Sequence, residues 1–208
     1  MSAFIVVEGL EGAGKSSVIA TLKACLEAHD LKVITTREPG GTPMAEAIRE
    51  CVKHDWDSES VTQETELLLM YAARSQLVAN VIKPAMAKGQ WVLGDRHDLS
   101  TVAYQGGGRG VPIETLTNLR EMTLGDFAPD FTLYLDLAPE LGLSRARGRG
   151  ELDRIEQSGL AFFERARAAY QSHIKNSKNA ALVDASQEMN KVQEDAVKAL
   201  EQFLAERK

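Results

Sequence analysis

The chain is 208 residues long, 44% apolar and 26% charged, which is enough to bury one substantial core and reads as a single domain over 1–208. A net charge of -6 and a pI near 5.3 exclude a broadly basic face, and with it general binding to nucleic acid or to an anionic membrane; any phosphate site must come from locally placed arginines and lysines. No apolar run approaches the ~20 residues of a membrane span or precedes a cleavage site, so the expectation is a cytoplasmic protein, and Cys25 and Cys51, without CxxC spacing, are expected as reduced core thiols.

In chain order, strands are expected over 4–7, 32–36, 91–94, 131–136 and 180–183. Helices are expected over 15–28, 43–52, 62–87, 112–124, 139–147, 160–176 and 188–206, several of them opened by proline. This alternation predicts an α/β fold, a five-stranded parallel sheet with helices on both faces. The first strand runs into Gly9-Leu10-Glu11-Gly12-Ala13-Gly14-Lys15-Ser16, a G-x-x-x-x-G-K-[ST] loop. Its glycines let backbone N–H groups wrap a polyphosphate, Lys15 reaches the transferable phosphate, and the Ser16 hydroxyl can ligate Mg2+.

Ligands of open parallel sheets collect at the carboxyl ends of the strands. Here those ends carry Glu8, Arg37-Glu38-Pro39-Gly40-Gly41, Asp95-Arg96-His97 and Asp136. Asp95 suits a magnesium shell opposite Ser16 and also suits a helix N-cap. Arg96 beside it suits a bidentate grip on phosphate. On the long apolar helix, Arg74 is expensive to bury alone, so it is either ion-paired or a cavity-facing donor with Met70 one turn before it. Ser100, Thr101, Tyr104 and Gln105 offer hydroxyl and amide groups, and Gly106 to Gly110 is expected to be a flexible loop. Arg145, Arg147, Arg149 and Arg154, broken by Gly148 and Gly150, would usually be a solvated charged face; in this acidic chain they suggest a mobile lid over about 142–156 that brings a cation onto the polyphosphate.

Taken together, the phosphate loop, Arg37-Glu38-Pro39-Gly40-Gly41-Thr42, Tyr71-Ala72-Ala73-Arg74, Asp95-Arg96-His97, Ser100 with Ala103-Tyr104-Gln105, and Leu152-Asp153-Arg154-Ile155-Glu156 resemble the thymidylate kinase family over essentially the whole chain. The resemblance implies a three-layer P-loop nucleoside monophosphate kinase fold and phosphorylation of dTMP by ATP with Mg2+. It implies ATP contacts from Gly9, Leu10, Glu11, Gly12, Ala13, Gly14, Lys15, Ser16 and Ser17, with Asp184 to Gln187 near the adenine. For dTMP it implies Glu11 at the sugar hydroxyl, Arg37 and Arg96 at the phosphate, Arg74 at the base, and Met70, Ser100, Thr101, Tyr104 and Gln105 around base and sugar. Metal contacts are expected from Ser16, Asp95 and Glu8, and catalytic charge from Lys15, Arg96 and a lid arginine: Arg149 first, then Arg154 and Arg147. Two departures stand out: Gly12 where many members carry an arginine, and Met70 where a phenylalanine is usual. The resemblance also suggests a homodimer. Competing readings are a kinase for another deoxynucleotide or a nucleoside, and a P-loop switch ATPase; the absence of a guanine-reading Asn-Lys-x-Asp weighs against a GTP-type switch.

Overall fold

Residues 2–57, 59–148 and 153–207 are described by a computed structural model. Five apolar runs form the strands β1 (Phe4–Gly9), β2 (Val33–Arg37), β3 (Trp91–Asp95), β4 (Phe131–Asp136) and β5 (Ala180–Asp184). They pair in parallel in the order β2-β3-β1-β4-β5, so β1 lies at the centre. Side chains alternate across a strand, and β1 shows why the sheet needs cover on both faces. Ile5 and Val7 pack toward Val18, Leu22 and Leu26 of α1 (Lys15–Ala28) and Val192, Ala196 and Leu200 of α9 (Met189–Glu206). Phe4 and Val6 pack toward Leu77, Val78, Ile82 and Ala85 on the opposite side. The result is the expected three-layer α/β arrangement.

The helices keep nearly all of the expected positions: α2 (Pro43–Lys53), α3 (Gln63–Leu77), α4 (Lys83–Ala87), α6 (Ile113–Leu124), α7 (Pro139–Arg147) and α8 (Leu160–Lys175). Thr42 caps α2 by accepting from the Ala45 N–H at 3.1 Å, with Pro43 preset at the first helical position. The long helix expected over 62–87 is not uniform, because a π-helical turn at Val78–Ile82 separates α3 from α4. The cysteines differ from expectation too: Cys25 is half-buried and Cys51 is exposed.

The largest correction concerns the glycine run. A short helix, α5 (Asp98–Thr101), continues as a π-helix over Val102–Gly108, so Gly106 to Gly108 are not a loose connector. The glycines are there for proximity: a Cβ on Gly107 would stand 2.8 Å from the Ala169 Cβ, and one on Gly108 would stand 2.3 Å from the Phe162 ring. Arg165 ties the segment down, donating twice to the Gly108 carbonyl at 2.6 and 3.2 Å. Gly108→Ala is therefore expected to cost about 1–3 kcal/mol through overpacking, a lower midpoint in urea with an unchanged slope; a midpoint at the parent value would show that α8 yields freely.

Candidate active site

Parallel register brings the polar strand ends to one edge. Val7 pairs with Asp95, Arg37 with Asp95, and Gly9 with Leu135, so the phosphate loop leaves the centre of the sheet between the ends of β3 and β4. Around it opens a cavity of about 470 Å³. The loop contributes Glu11, Gly12, Gly14, Lys15, Ser16 and Ser17, while Gly9, Leu10 and Ala13 form its buried underside. Gly12 and Gly14 hold φ of +74° and +84°, which glycine adopts without a Cβ penalty. Gly12 also abuts α7, and a Cβ there would lie 2.3 Å from the Gly142 carbonyl oxygen. This packing leaves no room for a side chain at position 12.

Arg96 is the hinge of the site. It is a non-glycine residue at φ +70°, a conformation that costs roughly 1–3 kcal/mol and persists only where its surroundings enforce it. Its Nη2 donates to Glu11 Oε1 at 2.7 Å, its Nη1 to Ser100 Oγ at 3.3 Å and to the Tyr170 hydroxyl at 3.4 Å, and its guanidinium lies over the Tyr104 ring at 5.0 Å. The Tyr104 hydroxyl donates to the other Glu11 oxygen. Burial pushes the Glu11 carboxyl up, but Arg96, Lys15 and Tyr104 outweigh it, and it ends below the ordinary range as a carboxylate.

Arg74 is both of the things expected of it. Its Nε donates to Glu38 at 2.7 Å, and its Nη2 donates to the His97 carbonyl at 3.1 Å and Thr101 Oγ1 at 3.0 Å. Its Nη1 is buried without a hydrogen-bond partner among the described residues, and the residue lines the cavity. Glu38 is held in turn by His97 Nδ1 at 2.7 Å. Met70 and Gln105 share that wall, and Arg37 lines the cavity while bonding Glu46 at 2.8 Å.

Asp95 and Ser16 both face the cavity, and Asp95 Oδ1 is a buried oxygen with no partner among the described residues. A hard-cation site needs such an oxygen, so these two residues suit magnesium. Asp95 does not cap a helix; the N-cap of α5 is His97, without a side-chain cap bond. Glu8 departs from expectation. Glu8 lies within β1 on the same face as Phe4 and Val6, so its side chain turns into the protein, where it accepts from the His97 N–H at 2.8 Å, Ser100 Oγ at 2.6 Å and the Tyr170 hydroxyl at 2.8 Å. Burial raises its carboxyl above the usual range in spite of those bonds. Glu8 positions the segment after β3 and does not line the cavity.

The lid arginines divide. Arg149 lies outside the described residues. Arg147 is exposed and off the cavity wall. Arg154 is occupied, donating to the Val52 carbonyl at 3.0 Å and to Glu66 at 2.7 Å. Three further cations line the cavity. Arg145 donates to the Ala185 carbonyl at 3.0 Å and to the Gly12 carbonyl at 3.4 Å, which joins the phosphate loop to the segment after β5. Arg49 and Lys53, four apart on α2, form the other two, with Lys53 paired to Asp153 at 2.9 Å. Their spacing one turn apart behind the Arg37 strand end was a sequence signal for a basic helix face.

The thymidylate kinase family model matches residues 7–196. The chain belongs to the thymidylate kinase family. A thymidylate kinase of Alteromonas mediterranea is 60% identical over 203 residues, 98% of this chain and 91% of that relative. Membership makes the protein a nucleoside monophosphate kinase, and its cavity is lined by the phosphate loop together with Arg37, Arg49, Arg74 and Arg96. Among the described residues no helix is long and apolar enough to cross a membrane.

Proposed function

We propose that this thymidylate kinase family member transfers the γ-phosphoryl of ATP to the 5′-phosphate of dTMP, with ATP over Gly12 to Ser17 and dTMP along Arg37, Met70, Arg74, Arg96, Ser100, Thr101, Tyr104 and Gln105. The observation that carries this reading is that Glu11 of the phosphate loop and Arg96 of the acceptor arm form one partly buried ion pair in a shared cavity. Magnesium held by Ser16 and Asp95 would neutralise charge on the polyphosphate. Arg96 clamps the acceptor phosphate, Lys15 donates to the transferring group, and Glu11 takes the sugar hydroxyl. The acceptor is already an anionic nucleophile, so positioning and charge stabilisation suffice and no general base is required. Arg74 Nη1, which lies 3.6 Å from Asp98 Oδ1 and makes no hydrogen bond among the described residues, supplies a donor for a base carbonyl. Arg149 remains the first choice for the lid cation, since Arg154 is bound to Glu66 and Arg147 lies off the wall.

The test is an acceptor panel of dTMP, dUMP and thymidine with ATP and magnesium, read as ADP and nucleoside diphosphate. Transfer to dTMP is expected; ATP hydrolysis without transfer to any acceptor would overturn the reading.

Lys15 gives a pH signature. Its Nζ donates to the Gly9 and Leu10 carbonyls at 3.1 Å each. Burial, helped by Arg96, lowers the ammonium to about 8. Only the charged form serves a phosphate, so kcat/KM for ATP is expected to fall through an alkaline limb near pH 8, whereas kcat, measured with polyphosphate beside the lysine, holds to higher pH. For stability the sign is opposite: the buried charge is a cost below about 8, lifted as pH rises toward the ~10.4 of an unfolded lysine. A kcat/KM flat to pH 10 would remove Lys15 from this role.

A homodimer through α3 and α6 is the assembly we propose, supported by Leu68, Ile113 and Met122, exposed by 54%, 66% and 75% on those helices. Sedimentation velocity is expected to show a dimer that Met122→Asp shifts toward monomer; an unchanged profile excludes this face.

A further inference from the structure

A second constellation lies at the far end of α1. Cys25 and His29 are four residues apart, so one helical turn stacks them on one face, and Glu201 of α9 reaches both. The Cys25 thiol donates to Glu201 Oε1 at 3.3 Å, and His29 Nε2 lies 2.8 Å from the same oxygen. Sulfur, imidazole nitrogen and carboxylate oxygen all fall within 4.8 Å of one another. The supports are rigid, because α1 and α9 are fastened by Leu22, Leu26, Ala196 and Leu200 in the core. His29 and Glu201 side chains are 41% and 46% exposed, which leaves a path in from solvent, while Cys25 sits on the drier side.

Bond lengths of ~2.3 Å to sulfur and ~2.0–2.2 Å to nitrogen or oxygen in a tetrahedral ion place ligand atoms roughly 3.3–3.6 Å apart. The sulfur–oxygen and nitrogen–oxygen distances of 3.3 and 2.8 Å lie at and below the lower end of that spacing, sulfur and nitrogen lie within 4.8 Å, and side-chain rotations can bring all three to it. A mixed thiolate, imidazole and carboxylate set suits zinc or cobalt and not magnesium, which takes oxygen.

We propose that Cys25, His29 and Glu201 form a binding site for a zinc-class divalent cation, separate from the catalytic magnesium, that staples α1 to α9. On binding, the Cys25 thiol proton leaves to solvent and the sulfur ligates as thiolate. His29 ligates through Nε2 with its hydrogen on Nδ1, and Glu201 through a carboxylate oxygen. The two negative ligands balance the dication, and water completes the fourth position. Ten residues of helix, ~15 Å, separate Cys25 from Lys15, so the ion touches no nucleotide.

The experiment titrates metal-free, full-length enzyme with cobalt(II) alone, followed by absorption in the thiolate-to-cobalt charge-transfer region. One equivalent is expected to give that band, zinc to displace it, and zinc to raise Tm. Cys25→Ser is expected to abolish the band, His29→Ala and Glu201→Gln to weaken binding about tenfold or more, and Cys51→Ser to leave it intact. Cys25→Ser lies outside the nucleotide cavity, so its unchanged dTMP phosphorylation reports that it folds. No band in the parent enzyme, or a band kept by Cys25→Ser and lost in Cys51→Ser, overturns the proposal.

Discussion

Arg96→Ala is expected to lower kcat/KM for dTMP by roughly 10²–10³-fold. In the proposed role of Arg96, the substitution removes two charge-assisted bonds to an acceptor phosphate, each worth about 1.5–3 kcal/mol, of which ~3–4 kcal/mol is retained as a net loss after water fills in. It also strands Glu11, whose Oε1 was held by Arg96 at 2.7 Å. Arg96→Lys is not expected to rescue it, since one ammonium cannot bond Glu11, Ser100 and Tyr170 while gripping a phosphate. Backbone strain separates the catalytic loss from a folding defect. At φ +70° glycine is at ease and alanine is not, so Arg96→Gly is expected to melt higher than Arg96→Ala while being equally slow. A loss in kcat/KM under tenfold, or an active lysine variant, would remove Arg96 from the centre of the mechanism.

Glu66→Leu carries the largest expected effect on stability. This carboxylate is almost wholly buried and accepts from Gln105 at 2.9 Å, from Arg109 at 3.2 Å twice, and from Arg154 at 2.7 Å. Burial pushes its carboxyl up, yet the bonds from Arg109, Gln105 and Arg154 prevail and it ends below the usual range. Breaking a buried pair from one side costs ~3–5 kcal/mol; both arginines keep some solvent contact, so about 3 kcal/mol is expected, a Tm fall of roughly 6–12 °C for a chain of this size. Glu66→Gln, which retains one acceptor, falls between. Since Gln105 lines the nucleotide cavity, KM for dTMP is expected to rise more than kcat falls. A Tm within about 2 °C of the parent would show that the cluster is not structural.

Sequence pattern reached the sheet, most helix limits and the cavity-lining residues of the phosphate loop, because each rests on local signals: apolar runs, prolines at helix starts, and a glycine spacing with one mechanical use. It missed Glu66, which in one dimension is merely an acid in the first turn of α3, where a helix dipole favours acids in any case. Its partners lie 39 to 88 positions away and meet it only through topology. The same blindness assigned Arg154 to catalysis and Gly106 to Gly108 to a loose loop, since what an arginine or a glycine does depends on the neighbour across the fold. Glu8 is expected with the metal because a carboxylate at a strand end reads as solvent-facing; it lies inside β1 on the face of Phe4 and Val6, and its partners His97, Ser100 and Tyr170 come from 89 to 162 positions away.

The Glu11–Arg96 pair has a thermodynamic corollary. In the proposed arrangement one carboxylate belongs to the loop that takes the donor, and its partner belongs to the arm that takes the acceptor, so ordering either half orders part of the other. Linkage then requires reciprocity: whatever factor by which bound dTMP tightens a non-hydrolysable ATP analogue, the analogue must tighten dTMP by the same factor. Synergy between the two nucleotides would thus reside in a single shared side chain, and an enzyme lacking that carboxylate would bind its substrates as strangers.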